Sequence, residues 1–180
     1  FFIEGKNVES LTKKFNTPLY CYSYKNLREN VENFKKAFKE IRPLICFSVK
    51  SNSNISLLKE IKKLGLGADV VSKGELYASL KAGIDKNKIV FSGVGKTRDE
   101  IEYAIKQKIL LINSESLSEV LAIEAAAKKL NKVVDIGLRL NPDTDAETLK
   151  QISTGKSENK FGVDKKLSLI HISEPTRRRG

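Results

Sequence analysis

Residues 44–91 read LICFSVKSNSNISLLKEIKKLGLGADVVSKGELYASLKAGIDKNKIVF, three apolar stretches separated by two helical ones. Leu44 to Val49 is a continuous apolar run of strand length. From Asn54 to Leu64, Ile55, Leu58 and Ile61 recur at helical spacing along one face. Gly65 and Gly67 end that helix, and Ala68-Asp69-Val70-Val71 is a second short strand. Gly74 to Lys81 is helical, Gly83 stops it, and Lys88-Ile89-Val90-Phe91 is strand again. The pattern continues beyond this stretch. Thr97 or Arg98 opens a helix through Ile105, and Ile109 to Ile112 is a strand. Ser114 or Ser116 caps a long helix to about Leu130, and Val133 to Leu140 is a longer strand.

Short strands that are apolar on both faces and alternate with helices at a spacing of roughly 20 residues imply a parallel sheet covered by helices. An open doubly wound sheet and a (β/α)8 barrel both satisfy this. No Gly-x-Gly-x-x-Gly follows the first strand, which weighs against a dinucleotide fold. Periodicity alone does not choose between the two. Before residue 44, Val8, Leu11 and Phe15 suit a short helix over Asn7 to Phe15. Pro18 breaks it, and Leu19-Tyr20-Cys21-Tyr22-Ser23 reads as a strand. Ser23 then caps a helix through about Glu40, with Leu27, Val31, Phe34 and Phe38 on its apolar stripe.

Composition narrows the function classes. The 180 residues contain 33 Lys and Arg against 22 Asp and Glu, a net charge of +11. The lysines fall as pairs on helical faces: Lys13-Lys14, Lys35-Lys36, Lys62-Lys63 and Lys128-Lys129. No basic stripe interleaved with aromatics marks a nucleic-acid surface. No apolar run approaches the ~18 residues of a membrane span, and no basic region followed by an apolar stretch marks a secretory signal. Cys21 and Cys46 read as buried free thiols of a cytoplasmic protein. With one histidine, His171, no metal site is expected.

In either architecture, functional residues gather where strands end and loops begin. Lys50, Asp69, Ser72, Glu75, Ser92, Gly93, Asn113, Ser114, Arg139 and Asn141 occupy such places. A lysine ending a buried strand must be paired, neutralised, or extended into water. Neutralisation is what makes an amine nucleophilic enough to form a Schiff base, and Asp69 or Glu75 offers a carboxylate partner.

Six ordered motifs add a family resemblance. Cys46-Phe47-Ser48-Val49-Lys50-Ser51-Asn52 is similar to the (Y/F)-x-(V/L)-K-(A/S)-N motif of fold-type III pyridoxal-phosphate decarboxylases. Thr17-Pro18-Leu19-Tyr20-Cys21-Tyr22-Ser23 resembles their TPLYVY(S/D), residues 67–76 their GADVVSxGEL, and residues 91–97 their FSGVGKT. Arg139-Leu140-Asn141-Pro142-Asp143 resembles RVNPD, and Ile152-Ser153-Thr154-Gly155 with Lys160-Phe161-Gly162 resembles ISTG…KFG. FSGVGKT and ISTG…KFG separate the diaminopimelate decarboxylases from the ornithine decarboxylases. Where the family usually has a histidine before ISTG, Leu149 stands here.

The resemblance selects the barrel: an α/β fold comprising about the first five units of an alanine-racemase-like (β/α)8 TIM barrel. It implies decarboxylation of meso-2,6-diaminopimelate to L-lysine and CO2, with pyridoxal 5'-phosphate held by Lys50 as a Schiff base. Asp69, Ser72, Glu75 and Arg139 are the further cofactor-binding candidates, and residues 152–162 a mobile segment near the substrate. The alternatives are a related decarboxylase acting on carboxynorspermidine, arginine or ornithine, and a non-catalytic cofactor-binding homologue. It also implies a small amino-acid substrate and a cytoplasmic homodimer, without nucleic acid or membrane partners.

The expected organisation is a lead-in over 1–43, a partial pyridoxal-phosphate barrel over 44–166, and an unrelated tail over 167–180 resembling translated sequencing-adapter read-through. The sequence is accordingly expected to be an inactive fragment. By the resemblance, a stacking histidine, a Gly-rich phosphate loop, a Glu-Pro-Gly-Arg segment and a β-rich second domain with a catalytic cysteine would follow.

Overall fold

The computed structural model describes residues 1–141 and 162–164. The chain divides into two compact units, Phe1–Leu44 and Ile45–Gly180. In the first, β1 (Phe2–Ile3) pairs antiparallel with β2 (Lys6–Asn7). Asn7 then caps α1 (Val8–Phe15), its side chain accepting from Glu9 N at 2.8 Å. Ser23 caps α2 (Tyr24–Ala37), accepting from Asn26 N at 3.0 Å while donating to Glu4 Oε1 at 2.6 Å. Val31 is the buried residue of α2.

Two expectations fail in this unit. Leu19 to Ser23 is not a strand. A strand needs a neighbour to take its backbone groups, and this segment pairs with neither β1 nor β2, while Tyr20 and Tyr22 stand exposed. Cys21 lies in the same segment and is exposed rather than buried; both cysteines are free.

The second unit holds the expected alternation: β3 (Cys46–Ser48), α3 (Ile55–Lys63), β4 (Gly67–Val70), α4 (Lys73–Lys81), β5 (Ile89–Phe91), α5 (Arg98–Gln107), β6 (Leu111–Ser114), α6 (Leu117–Leu130) and β7 (Ile136–Leu138). Each strand pairs in parallel with the next, so the sheet order is β3-β4-β5-β6-β7. This order discriminates between the two architectures. A doubly wound sheet reverses its direction of growth, whereas right-handed crossovers that always step the same way place every helix on one face. The sheet is therefore wound as a barrel is wound.

The register gives the two faces different characters. Ala68, Val70, Ile89, Phe91 and Ile112 are almost wholly buried on one face, as are Leu58, Ile61, Leu76, Ile101, Ala104 and Ile123 of the helices. The alternating residues on the other face, Cys46, Ser48, Asp69, Val90, Ser92, Leu111, Asn113 and Gly137, are only half-buried. Polar groups are thus tolerated on one side of a sheet whose other side is apolar apart from the buried Ser114.

The last expected strand, Val133 to Leu140, is shorter and split. Val133 is fully exposed, β7 begins at Ile136, and Arg139 separates it from β8 (Leu140–Asn141). β8 pairs with β9 (Val163–Asp164) instead of continuing beside β6. All four basic pairs lie in the last turns of helices, α1, α2, α3 and α6. Positive charge there complements the partial negative charge of the helix carboxyl end, which accounts for these lysines without a polyanionic partner. Among the described residues no helix is long and apolar enough to cross a membrane, and no His, Cys, Asp and Glu group is arranged to hold a metal ion.

Candidate functional site

Polar side chains collect at the carboxyl ends of β3 to β7. After β3 the backbone tightens into one 3-10 turn, Val49–Ser51. Val49 anchors the turn by complete burial, Ser51 Oγ donates to Ser48 O at 2.7 Å, and Asn52 N donates to Val49 O at 2.9 Å. Asn52 Oδ1 accepts from Asn54 N at 3.0 Å, and Asn54 caps α3. Lys50, like Ser51, is exposed, in a turn fixed on both sides. The carboxylate partner expected for Lys50 is not paired with it: Asp69 bonds Ser92 through Oδ1 and Glu75 bonds Val71 N through Oε2, and neither forms an ion pair with Lys50.

Asp69 Oδ1 accepts from Ser92 Oγ at 2.5 Å, and Ser92 Oγ accepts from Asn113 Nδ2 at 3.1 Å. The chain of bonds crosses three neighbouring strand ends and stops at Asn113, whose register partner is Gly137. A Cβ at residue 137 would lie 2.3 Å from Asn113 Oδ1, so only glycine leaves room for this side chain. Cys46 lies on the same face. Burial raises its thiol pKa, and the Asp69 charge raises it further.

Ser72 and Glu75 form the turn between β4 and α4. Ser72 Oγ caps α4 by accepting from Glu75 N at 3.2 Å, and Glu75 Oε2 reaches back to Val71 N at 2.9 Å. As an acceptor in this bond, the Ser72 hydroxyl keeps its own proton for donation. The device recurs. Thr97 and Glu100 form a full capping box on α5. At α6, Ser116 Oγ accepts from Glu119 N at 3.2 Å and Glu119 Oε2 accepts from Glu115 N at 2.7 Å. A Ser/Thr-x-x-Glu spacing thus shapes three successive strand-to-helix turns.

Two ion pairs in this region were not singled out by the sequence. Lys96 Nζ donates to Gly93 O at 2.7 Å, Asn113 O at 2.6 Å and Glu119 Oε1 at 3.0 Å. Its side chain is 1% exposed, so an amine that reads as one more surface lysine is a buried tie between the loop after β5, the end of β6, and α6. Glu115 is the second case. Its carboxylate, 4% exposed, pairs with Arg139 Nη1 at 3.1 Å and accepts from Gly162 N at 3.2 Å. Position was the available signal for the second pair alone, since Glu115 directly follows β6 and Arg139 directly follows β7, whereas Lys96 lies well inside the loop between β5 and α5. Arg139 remains 41% exposed beyond that contact. The expectations for Pro142-Asp143, Leu149, residues 152–155, Lys160-Phe161 and the 167–180 tail with His171 lie outside the described residues.

Lys50, Asp69, Ser72 and Arg139 each lie at or just beyond the carboxyl end of a strand, and no hydrogen bond or ion pair joins Lys50 to the other three. Comparison with known proteins identifies the family. The family described as "Pyridoxal-dependent decarboxylase, pyridoxal binding domain" matches residues 24–178. Diaminopimelate decarboxylase of Helicobacter pylori is 48% identical over 163 residues, which cover 91% of this chain and 40% of that protein. The crystal structure of the H. pylori diaminopimelate decarboxylase complexed with L-lysine superposes with a TM-score of 0.87 at 46% identity, covering 91% of this chain and 42% of that one. The M. jannaschii enzyme, also in complex with L-lysine, gives 0.86 at 35% identity, covering 96% and 41%. This chain therefore spans about 40% of the length of the curated relatives it matches.

Proposed function

The chain belongs to the pyridoxal-dependent decarboxylases, and from that premise we propose that Lys50 carries pyridoxal 5'-phosphate in a protein that decarboxylates meso-2,6-diaminopimelate to L-lysine. The observation that carries the reading is the placement of Lys50. It is an exposed residue in a turn pinned by Val49, Ser51 and Asn52 at the carboxyl end of β3. A primary amine held there can meet an aldehyde from solvent without unfolding the strand it terminates. The diaminopimelate substrate is supported by the names of the relatives and by L-lysine in their crystal structures.

Bound, the cofactor supplies an electron sink for the bonding pair released as carbon dioxide departs. The chain's own residues bind and orient. Lys50 Nζ is the atom that must lose a proton to bond carbon, and it can return one afterwards. Asp69, fixed through Ser92, places a negative charge on the same half-open face, where it favours a neighbouring cationic group. Arg139, held by Glu115, places a positive charge at the end of β7, where it favours an anionic group. Ser72 retains one hydroxyl proton for the same purpose, and Glu75 holds the turn that presents it.

The test is a decarboxylase assay on the whole protein with meso-2,6-diaminopimelate, ornithine, arginine and carboxynorspermidine as separate substrates. L-lysine and carbon dioxide from the first, abolished by Lys50→Ala, is the expected result. Turnover of another substrate in place of diaminopimelate would overturn the substrate assignment. Undiminished turnover in Lys50→Ala would overturn the role of the lysine.

A further inference from the structure

We propose that Ser92 and Asn113 are positioning residues that hold the Asp69 carboxylate toward the cofactor lysine, with Gly137 as the slot that lets Asn113 reach; this rests on the reading of Lys50 above. Asp69 sits mid-face on β4 and is half-buried, with no cationic partner among the described residues. A carboxylate in that position is free to rotate unless a neighbour fixes it. Ser92 fixes it with a short bond, donating its only proton to Oδ1 at 2.5 Å. That direction is imposed rather than chosen. Asn113 Nδ2 donates into Ser92 Oγ at 3.1 Å, and an amide NH2 group cannot accept, so the hydroxyl proton must point to Asp69.

Asn113 is fixed in turn. Its backbone carbonyl takes a bond from buried Lys96 at 2.6 Å, and its Oδ1 occupies the space a Cβ at Gly137 would need. The alternation of donor and acceptor along Asn113, Ser92 and Asp69 leaves Oδ2 as the unconstrained end of the ladder. One carboxylate oxygen is thereby anchored and the other is kept for a ligand at the strand ends. Three residue types at three strand ends are needed together: an amide, a hydroxyl and a missing side chain.

The experiment measures the apparent affinity of the full chain for pyridoxal 5'-phosphate. The fraction fixed to Lys50 by borohydride is followed against cofactor concentration for the unmodified chain and for Ser92→Ala, Ser92→Thr, Asn113→Ala, Asp69→Ala and the Ser92→Ala/Asp69→Ala double variant. Ser92→Ala should weaken binding about tenfold, the scale of a hydrogen bond to a charged group. Asn113→Ala should weaken it less, and Ser92→Thr, which keeps the hydroxyl, should restore most of the loss. In the Asp69→Ala background, Ser92→Ala should change nothing further, because Ser92 acts only through Asp69. Urea midpoints recorded for each variant separate misfolding from lost positioning, and a Ser92→Ala chain that unfolds leaves Ser92→Thr and Asn113→Ala to decide. Labelling of Lys50 with additive effects of Ser92→Ala and Asp69→Ala would overturn this inference alone. No labelling of Lys50 in the unmodified chain would overturn the cofactor assignment, and this inference with it.

Discussion

Replacing Gly67 with alanine should destabilise the sheet far more than an added methyl group usually does. A Cβ at this position would lie 2.1 Å from Lys88 O and 2.9 Å from Cys46 Sγ. The first obstacle is backbone and cannot swing aside as a side chain can. Gly67 starts β4, pairs with Cys46, and donates its N–H to Ile45 O at 2.9 Å. To reach an ordinary contact of at least 3.4 Å, the Lys88 carbonyl must retreat by about 1.3 Å, at the point where β5 meets β4. Overpacking a well-packed site costs about 1–3 kcal/mol, and a backbone obstacle puts this substitution at about 3 kcal/mol. With a urea m-value of about 2 kcal/mol/M, the midpoint should fall by about 1.5 M. Gly74→Ala is the matched control. It adds the same methyl group within α4, where the nearest neighbour of the new Cβ outside the helix backbone would be Ser72 Oγ at an ordinary 3.8 Å. Helix propensity should make that change neutral or stabilising by about 0.5 kcal/mol. Urea unfolding followed by far-ultraviolet circular dichroism reads both. Equal midpoints for the two variants would refute the close-approach argument.

Further outcomes follow from the same geometry. Lys96→Met leaves Glu119 buried without its cation and two carbonyls without a donor, so it should cost about 3 kcal/mol, partly recovered by adding Glu119→Gln; an unchanged urea midpoint would contradict the buried pair. For Glu100, burial raises the pKa, but N–H bonds from Thr97 and Lys73 and the Thr97 hydroxyl outweigh it and leave the folded value lowered. Its contribution is therefore present above the unfolded value near 4.5 and lost as pH falls through the folded value, so Glu100→Gln should flatten the loss of stability below that pH in an acid titration. Cys21, exposed, should be alkylated by iodoacetamide well before Cys46, whose thiol is raised by burial and then by Asp69; Asp69→Asn should quicken Cys46, and peptide mapping of the label checks both.

The parallel alternation from Leu44 onward was legible because strand-length apolar runs and helical stripes obey different periods, and glycines mark the joins. The strand ends moved by one to three residues, as in Ile109 to Ile112 against Leu111–Ser114 and Val133 against a β7 that starts at Ile136. Leu19 to Ser23 misled because aromatic, alternating composition signals strand propensity, while a strand also requires a partner that sequence does not reveal. The choice of barrel winding came from motifs; the sheet order β3-β4-β5-β6-β7 supplies the physical reason. Within the site, Lys50, Asp69 and Arg139 could be located by where strands end. The engagement of Asp69 with Ser92, and of Glu115 with Arg139, could not, since both join residues more than twenty apart through a register fixed only on folding.

The most direct test of the cofactor assignment is a map of the lysine that bonds pyridoxal 5'-phosphate. The chain is incubated with substoichiometric cofactor, reduced with borohydride, digested, and its labelled peptides quantified by mass spectrometry. The account predicts label concentrated on the peptide containing Lys50 and lost in Lys50→Ala without gain elsewhere. Label spread over the exposed lysines of the helix ends, unchanged by that substitution, would contradict it.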